Sequence, residues 1–107
     1  MPKCKITVLK KSCFPELVEE YCTDPTTGPC KMFEEGQVRI VDSSAYFNME
    51  IPDGFCAEAW HSISHYVYAV IQGGAIMKGW MNSDKVMITC CNDGVRPVIF
   101  KLEAVDD

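Results

Sequence analysis

Val86-Met87-Ile88-Thr89-Cys90-Cys91-Asn92-Asp93-Gly94-Val95-Arg96-Pro97-Val98-Ile99-Phe100-Lys101-Leu102-Glu103-Ala104-Val105 carries the main topological signal of this chain. Val86–Cys91 and Val98–Val105 are both rich in β-forming residues, and Asn92-Asp93-Gly94 between them is a reverse-turn signal. Pro97 stands at the start of the second run, where a missing N–H is tolerated. The pattern predicts an antiparallel hairpin. Immediately upstream, Gly79 and Asn82-Ser83-Asp84 mark residues 75–85 as loop. Before that loop, Cys56, Trp60, Ile63, Val67 and Ile71 recur at steps of four, three, four and four, the apolar stripe of a helix over residues 56–72. Gly73-Gly74 ends it.

Further toward the N-terminus the signals alternate in kind. Cys4, Ile6 and Val8 interleave with Lys3, Lys5 and Thr7, which predicts a half-buried strand over residues 3–10. Pro15 suits a first helical turn, and Phe14, Leu17, Val18 and Tyr21 then form a stripe, with Glu16, Glu19 and Glu20 toward water. A helix over 14–22 follows. Thr23-Asp24-Pro25-Thr26-Thr27-Gly28-Pro29-Cys30 denies both helix and central strand. Gln37–Asp42 alternates as a further strand, and residues 43–55 read as irregular, closing on the turn signal Pro52-Asp53-Gly54. The order β-α-β-α-β-β predicts one small α+β domain over residues 1–107, with one mainly antiparallel sheet of about four strands and two helices.

At 107 residues the chain has room for one core. Its 48% hydrophobic and 23% charged residues match an ordinary globular composition rather than a disordered one. A formal charge of -5 argues against a general nucleic-acid binder. No apolar run reaches the roughly 20 residues of a membrane span, so neither nucleic acid nor membrane is expected as a partner. Seven cysteines are unusual, yet the N-terminal Met1-Pro2-Lys3-Cys4-Lys5-Ile6 has no secretory-signal character. The expectation is reduced thiols in a cytoplasmic protein.

Cysteine and arginine supply the candidate site. Cys56 falls where the long helix begins, where free backbone N–H groups and the helix dipole favour thiolate. The competing reading makes it a small buried hydrophobe continuing the Trp60 stripe. Cys22 and Cys30 bracket a rigid turn that can aim two sulfurs at one metal ion or close as a disulfide, although no CxxC accompanies them. Adjacent strand residues point to opposite faces, so one of Cys90 and Cys91 can join such a site. If Val86, Ile88 and Cys90 face the core, Cys91 faces outward. His61 and His65 share one flank of the helix at metal-ligand spacing, but on its polar side, where solvated imidazoles are the default. Arg96, held between a glycine turn and Pro97, can clamp a carboxylate or phosphate, or pair structurally with Asp93. Trp60 is expected in the core, and Trp80, in the 75–85 loop, as a pocket wall or subunit contact.

The segments Cys4–Leu9, Glu19-Glu20-Tyr21-Cys22, Gly28-Pro29-Cys30, Pro52-Asp53-Gly54-Phe55-Cys56, Ala59-Trp60 and Cys90 through Glu103 give the chain a likeness over nearly its whole length. It resembles a family of small uncharacterised prokaryotic proteins. The resemblance implies one complete small domain, with Cys22, Cys30, Cys56 and the Cys90-Cys91 pair in the family pattern. It implies no activity.

Three functions fit these residues. The first is a binding protein whose site draws on Cys22, Cys30, Cys56 and Cys91, holding zinc, iron or a small ligand that Trp80 and Arg96 contact. The second is an enzyme with Cys56 as nucleophile or redox thiol and Arg96 as anion clamp. The third is an interaction module with structural cysteines. The first is adopted as the expectation, together with self-association into a homo-oligomer of unspecified symmetry.

Overall fold

The computed structural model describes residues 2–48 and 50–106. Its elements are β1 (Lys3–Lys11), α1 (Pro15–Tyr21), β2 (Val38–Val41), α2 (Ser43–Phe47), α3 (Ala57–Ile71), β3 (Val86–Cys90) and β4 (Val98–Val105). The strands form one four-stranded sheet in the order β2-β1-β4-β3, and every neighbouring pair is antiparallel. The expected α+β architecture is therefore present. The first and last strands lie side by side at its centre, in register from Lys3↔Val105 to Lys11↔Val98. An extra residue at Leu9 interrupts that register and bends β1.

Alternation along the central strands decides which face packs. Cys4, Ile6, Val8, Val98, Phe100 and Leu102 are all buried, and α3 packs on β1, β3 and β4. From α3 come Ala59, Trp60, Ile63, Val67, Val70 and Ile71, the stripe that its four-three spacing prescribes. Aromatic rings close one end of this core. Phe33 meets Phe55 and Phe100 edge-on at 4.9 and 5.2 Å, and Phe55 stacks on Phe100 at 5.5 Å. Thus one strand residue anchors two long loops. Gly54, at φ +72°, supplies the left-handed corner that turns Phe55 inward, and Arg39 Nε donates to the Asp53 carbonyl at 3.3 Å to tie that corner to β2.

Three local expectations are corrected. Residues 43–47 are helical rather than irregular, because the Asp42 side chain accepts from the Ala45 N–H at 2.8 Å as an N-cap. The local signal is an aspartate before Ser43-Ser44, and five residues are too few to show helical periodicity. In α1, of the expected stripe, Val18 alone is buried; Phe14 and Tyr21 are 39% and 72% exposed. In β3, Met87 pairs with Leu102 on the buried face, so Val86, Ile88 and Cys90 point away from the core. Cys90 is exposed and Cys91 is the half-buried member of the pair.

Candidate functional site

The segment between β3 and β4 is a seven-residue loop, residues 91–97, wider than its Asn-Asp-Gly signal suggested. Cys91 N–H donates to the Val98 carbonyl at 3.1 Å, and Val98 N–H points back at Cys91 Sγ, 3.4 Å away. Within the loop, Asp93 Oδ1 accepts from the Val95 and Arg96 N–H groups at 2.9 and 3.0 Å, while Oδ2 lies 3.6 Å from Arg96 Nε. Partial burial pushes the Asp93 carboxyl up, but the two N–H donors and the Arg96 charge outweigh it and hold the group below its ordinary range. This is the structural Asp93–Arg96 pairing that the sequence offered as one alternative.

A second loop comes alongside. Phe14 N–H donates to the Val95 carbonyl and Ser12 N–H to the Pro97 carbonyl, both at 2.9 Å, so the start of α1 is stitched to the β3–β4 loop. Residues 22–27 then fold over it. Asp24 accepts from Thr26 Oγ1 and N–H at 2.6 and 2.9 Å, which lowers its pKa, and Thr27 Oγ1 donates to the Asp24 carbonyl at 2.8 Å. Between the two loops lies a cleft of about 360 Å³ lined by Cys22, Thr23, Asp24, Thr27, Asp93, Val95 and Arg96. Cys22 and Arg96, nominated separately, thus share one cavity. Asp24, Thr23 and Thr27 carry no local signal of a cleft, because the proline-rich stretch between the two cysteines reads only as a rigid turn.

The remaining candidates lie elsewhere. Cys56 is the N-cap residue of α3 and is half-buried against the core, and its side chain makes no capping hydrogen bond. Asn92 Nδ2 donates to Glu58 Oε1 at 3.0 Å, so the β3–β4 loop does reach the start of α3, and Cys91 also packs against the core. Cys30 packs on the core as well, its Sγ accepting from the Met32 N–H at 3.4 Å and its carbonyl from Lys11 Nζ at 2.8 Å. All seven cysteines are free. Among the described residues, no three His, Cys, Asp or Glu side chains gather into a set that could hold a metal ion, so Cys22, Cys30, Cys56 and Cys91 are not brought together as ligands. Sulfurs on four separate segments converge only if packing places them on one wall, and here each follows its own element. His61 sits 3.7 Å from Glu58 on the exposed flank of α3, and the His65 ring rests on Tyr66 at 3.9 Å. Trp60 is buried, as expected, whereas Trp80 is 80% exposed.

No protein-family model, curated protein or solved structure matches the chain. The resemblance to a family of small prokaryotic proteins does not hold. Short turn motifs such as Pro-Asp-Gly-Phe-Cys are dictated by local backbone geometry, and independent sequences meet that demand with the same residues. Cys22, Cys30, Cys56 and Cys90-Cys91 therefore belong to no family pattern that these comparisons show. Among the described residues no helix is long and apolar enough to cross a membrane.

Asp93 is the pin of this cleft, and its removal has a defined cost. Asp93→Ala is expected to lower stability by about 1 kcal/mol, since the Val95 and Arg96 N–H groups lose a charged acceptor but keep access to water. Chemical denaturation of both proteins checks this. Because the folded-state pKa is depressed, the stabilisation is present above the unfolded Asp value and fades as pH falls through the folded one. The difference between the two proteins should therefore shrink in acid.

Proposed function

We propose that this chain is a small-ligand-binding domain whose site is the cleft between residues 22–27 and the β3–β4 loop. The ligand class is a small anion, carboxylate or phosphate, taken by the Arg96 guanidinium, with the Thr23 and Thr27 side chains and the Cys22 thiol on the walls. The observation that carries this reading is that two loops, stitched together by backbone hydrogen bonds, bring Arg96, Cys22 and Thr27 to one cavity. Both aspartates there already accept hydrogen bonds from their own loops. Recognition of ligand charge therefore falls to Arg96, whose forked N–H donors suit a planar or tetrahedral oxyanion. The thiol that shares the cleft lining with the arginine is Cys22, not Cys56. Seven free thiols support a reducing, cytoplasmic setting.

The test is an amide NMR titration with inorganic phosphate, acetate and succinate. Saturable shifts are expected at residues 22–27 and 93–96, lost in Arg96→Gln and kept in Arg39→Gln. Shifts that never saturate, or that Arg39→Gln removes equally, would overturn the reading.

A further inference from the structure

The face of the sheet turned away from α3 is chemically unlike a solvated one. An antiparallel sheet packed on one side ordinarily alternates apolar-in and polar-out. The middle of β1 and β4 obeys this with Lys5, Thr7, Lys101 and Glu103, but the edge strands do not: β2 turns Val38 and Ile40 outward, 42% and 52% exposed, and β3 turns Val86 and Ile88 the same way. The face also reverses the charge of the molecule. Lys3, Lys5, Lys10 and Lys101 put four of the ten basic residues on it, against Glu103 alone of the fifteen acidic ones, while Lys11 and Arg39 share the packed face with Val98 and Val41. The helices contain no lysine or arginine.

Strand register arranges these residues in rows. One row across the sheet reads Ile40, Lys5, Glu103, Val86, and the next reads Val38, Thr7, Lys101, Ile88. The first row is a chemical palindrome: aliphatic, positive, negative, aliphatic. A twofold axis parallel to the strands, between β1 and β4, lays β1 over the partner's β4 and β2 over its β3. Lys5 then faces a second Glu103, Ile40 a second Val86 and Val38 a second Ile88. Thr7 meets a second Lys101. Lys3 and Lys10 fall toward the strand ends, where long side chains reach water.

We infer that this open face is a self-complementary interface, and that two copies pack sheet on sheet into a twofold β-sandwich. The occupant is a second copy of this chain because the row symmetry pairs opposite charges and aliphatic side chains in a single operation. Sheets packed face to face keep their strands within about 30° of each other, so the pairing is most faithful at the central Lys5–Glu103 row. A face about 19 Å wide and 26 Å long buries on the order of 1,000 Å² in all, the lower bound for a specific interface. Dissociation on dilution is therefore expected.

Sedimentation velocity over a concentration series tests this. The wild-type chain should move from monomer to dimer as concentration rises, and Ile40→Asp should lose the dimer while keeping its circular dichroism. The decisive arm uses Lys5→Glu and Glu103→Lys. Each alone sets like charges across the axis twice and should stay monomeric. Mixed in equal amounts, they should form a heterodimer, since both charge pairs are then complementary. Wild-type protein that stays monomeric at the highest concentration overturns the inference, as does a dimer that survives Ile40→Asp. Single variants that dimerise like wild type, or a mixture that stays monomeric, overturn it too.

Discussion

Replacing Phe100 by alanine is expected to cost about 3–5 kcal/mol, a large part of the roughly 5–15 kcal/mol that holds an ordinary domain together. Phe100 is fully buried, and its ring is where the sheet meets two loops: Phe33 from the segment leading into β2, and Phe55 from the turn leading into α3. The lost area is only part of the effect. A hole beneath Phe33 and Phe55 is lined by aromatic rings whose backbones are fixed by other contacts, so collapse to fill it is incomplete. Urea or guanidinium unfolding measures the loss directly. Phe100→Leu, which keeps most of the volume, should retain more than half of the difference. Equal costs for the two variants would mean that filled volume does not account for the loss.

The second large effect lies at alkaline pH. Cys4 is fully buried in β1, in register with Val41 on one side and Ala104 on the other. Burial pushes its thiol from the ordinary 9.0 up to about 12; a backbone hydrogen bond at Glu103 opposes the shift and the Glu103 charge adds to it. A raised folded-state pKa fixes the sign. Below pH 9 both states hold the proton and stability does not depend on this group. Above it the unfolded chain releases a proton that the folded chain keeps, so stability falls by about 1.4 kcal/mol per pH unit until the folded pKa is reached. Over the full window from 9.0 to about 12 this sums to about 4 kcal/mol. Cys4→Val, close in volume and without a proton to lose, should flatten that slope while leaving stability at pH 7 nearly unchanged. A stability-versus-pH series for both proteins decides it. Parallel curves between pH 9 and 11 would show that Cys4 does not carry the alkaline loss.

Much of the architecture was legible in the chain because it rests on short-range periodicity. The stripe from Cys56 to Ile71 can bury itself only as a helix, and the alternation of Cys4, Ile6 and Val8 only as a strand. In β3 the same logic left the choice of face open. Alternation separates Val86, Ile88 and Cys90 from Met87 and Thr89 without choosing the inward set, and cross-strand register with β4 turned Met87 toward α3 rather than Val86 and Ile88. The proline-rich segment 23–30 could be recognised as irregular and still not be read as a cleft wall. Its partner surface, the β3–β4 loop, lies some seventy residues away, and nothing local marks the two as neighbours.

By itself, then, the sequence determined the α+β class, the hairpin and the long helix with its buried stripe, and it offered the pairing of Asp93 with Arg96 as one alternative. All of these are set by contacts between residues a few positions apart. The tertiary structure alone decided that Cys22 rather than Cys56 shares a cavity with Arg96, that the nominated cysteines stay on separate segments, and that Lys5 and Glu103 form the centre of an open face. Those outcomes depend on strand order and on how far each loop is drawn toward the core, and packing of the whole chain chooses both.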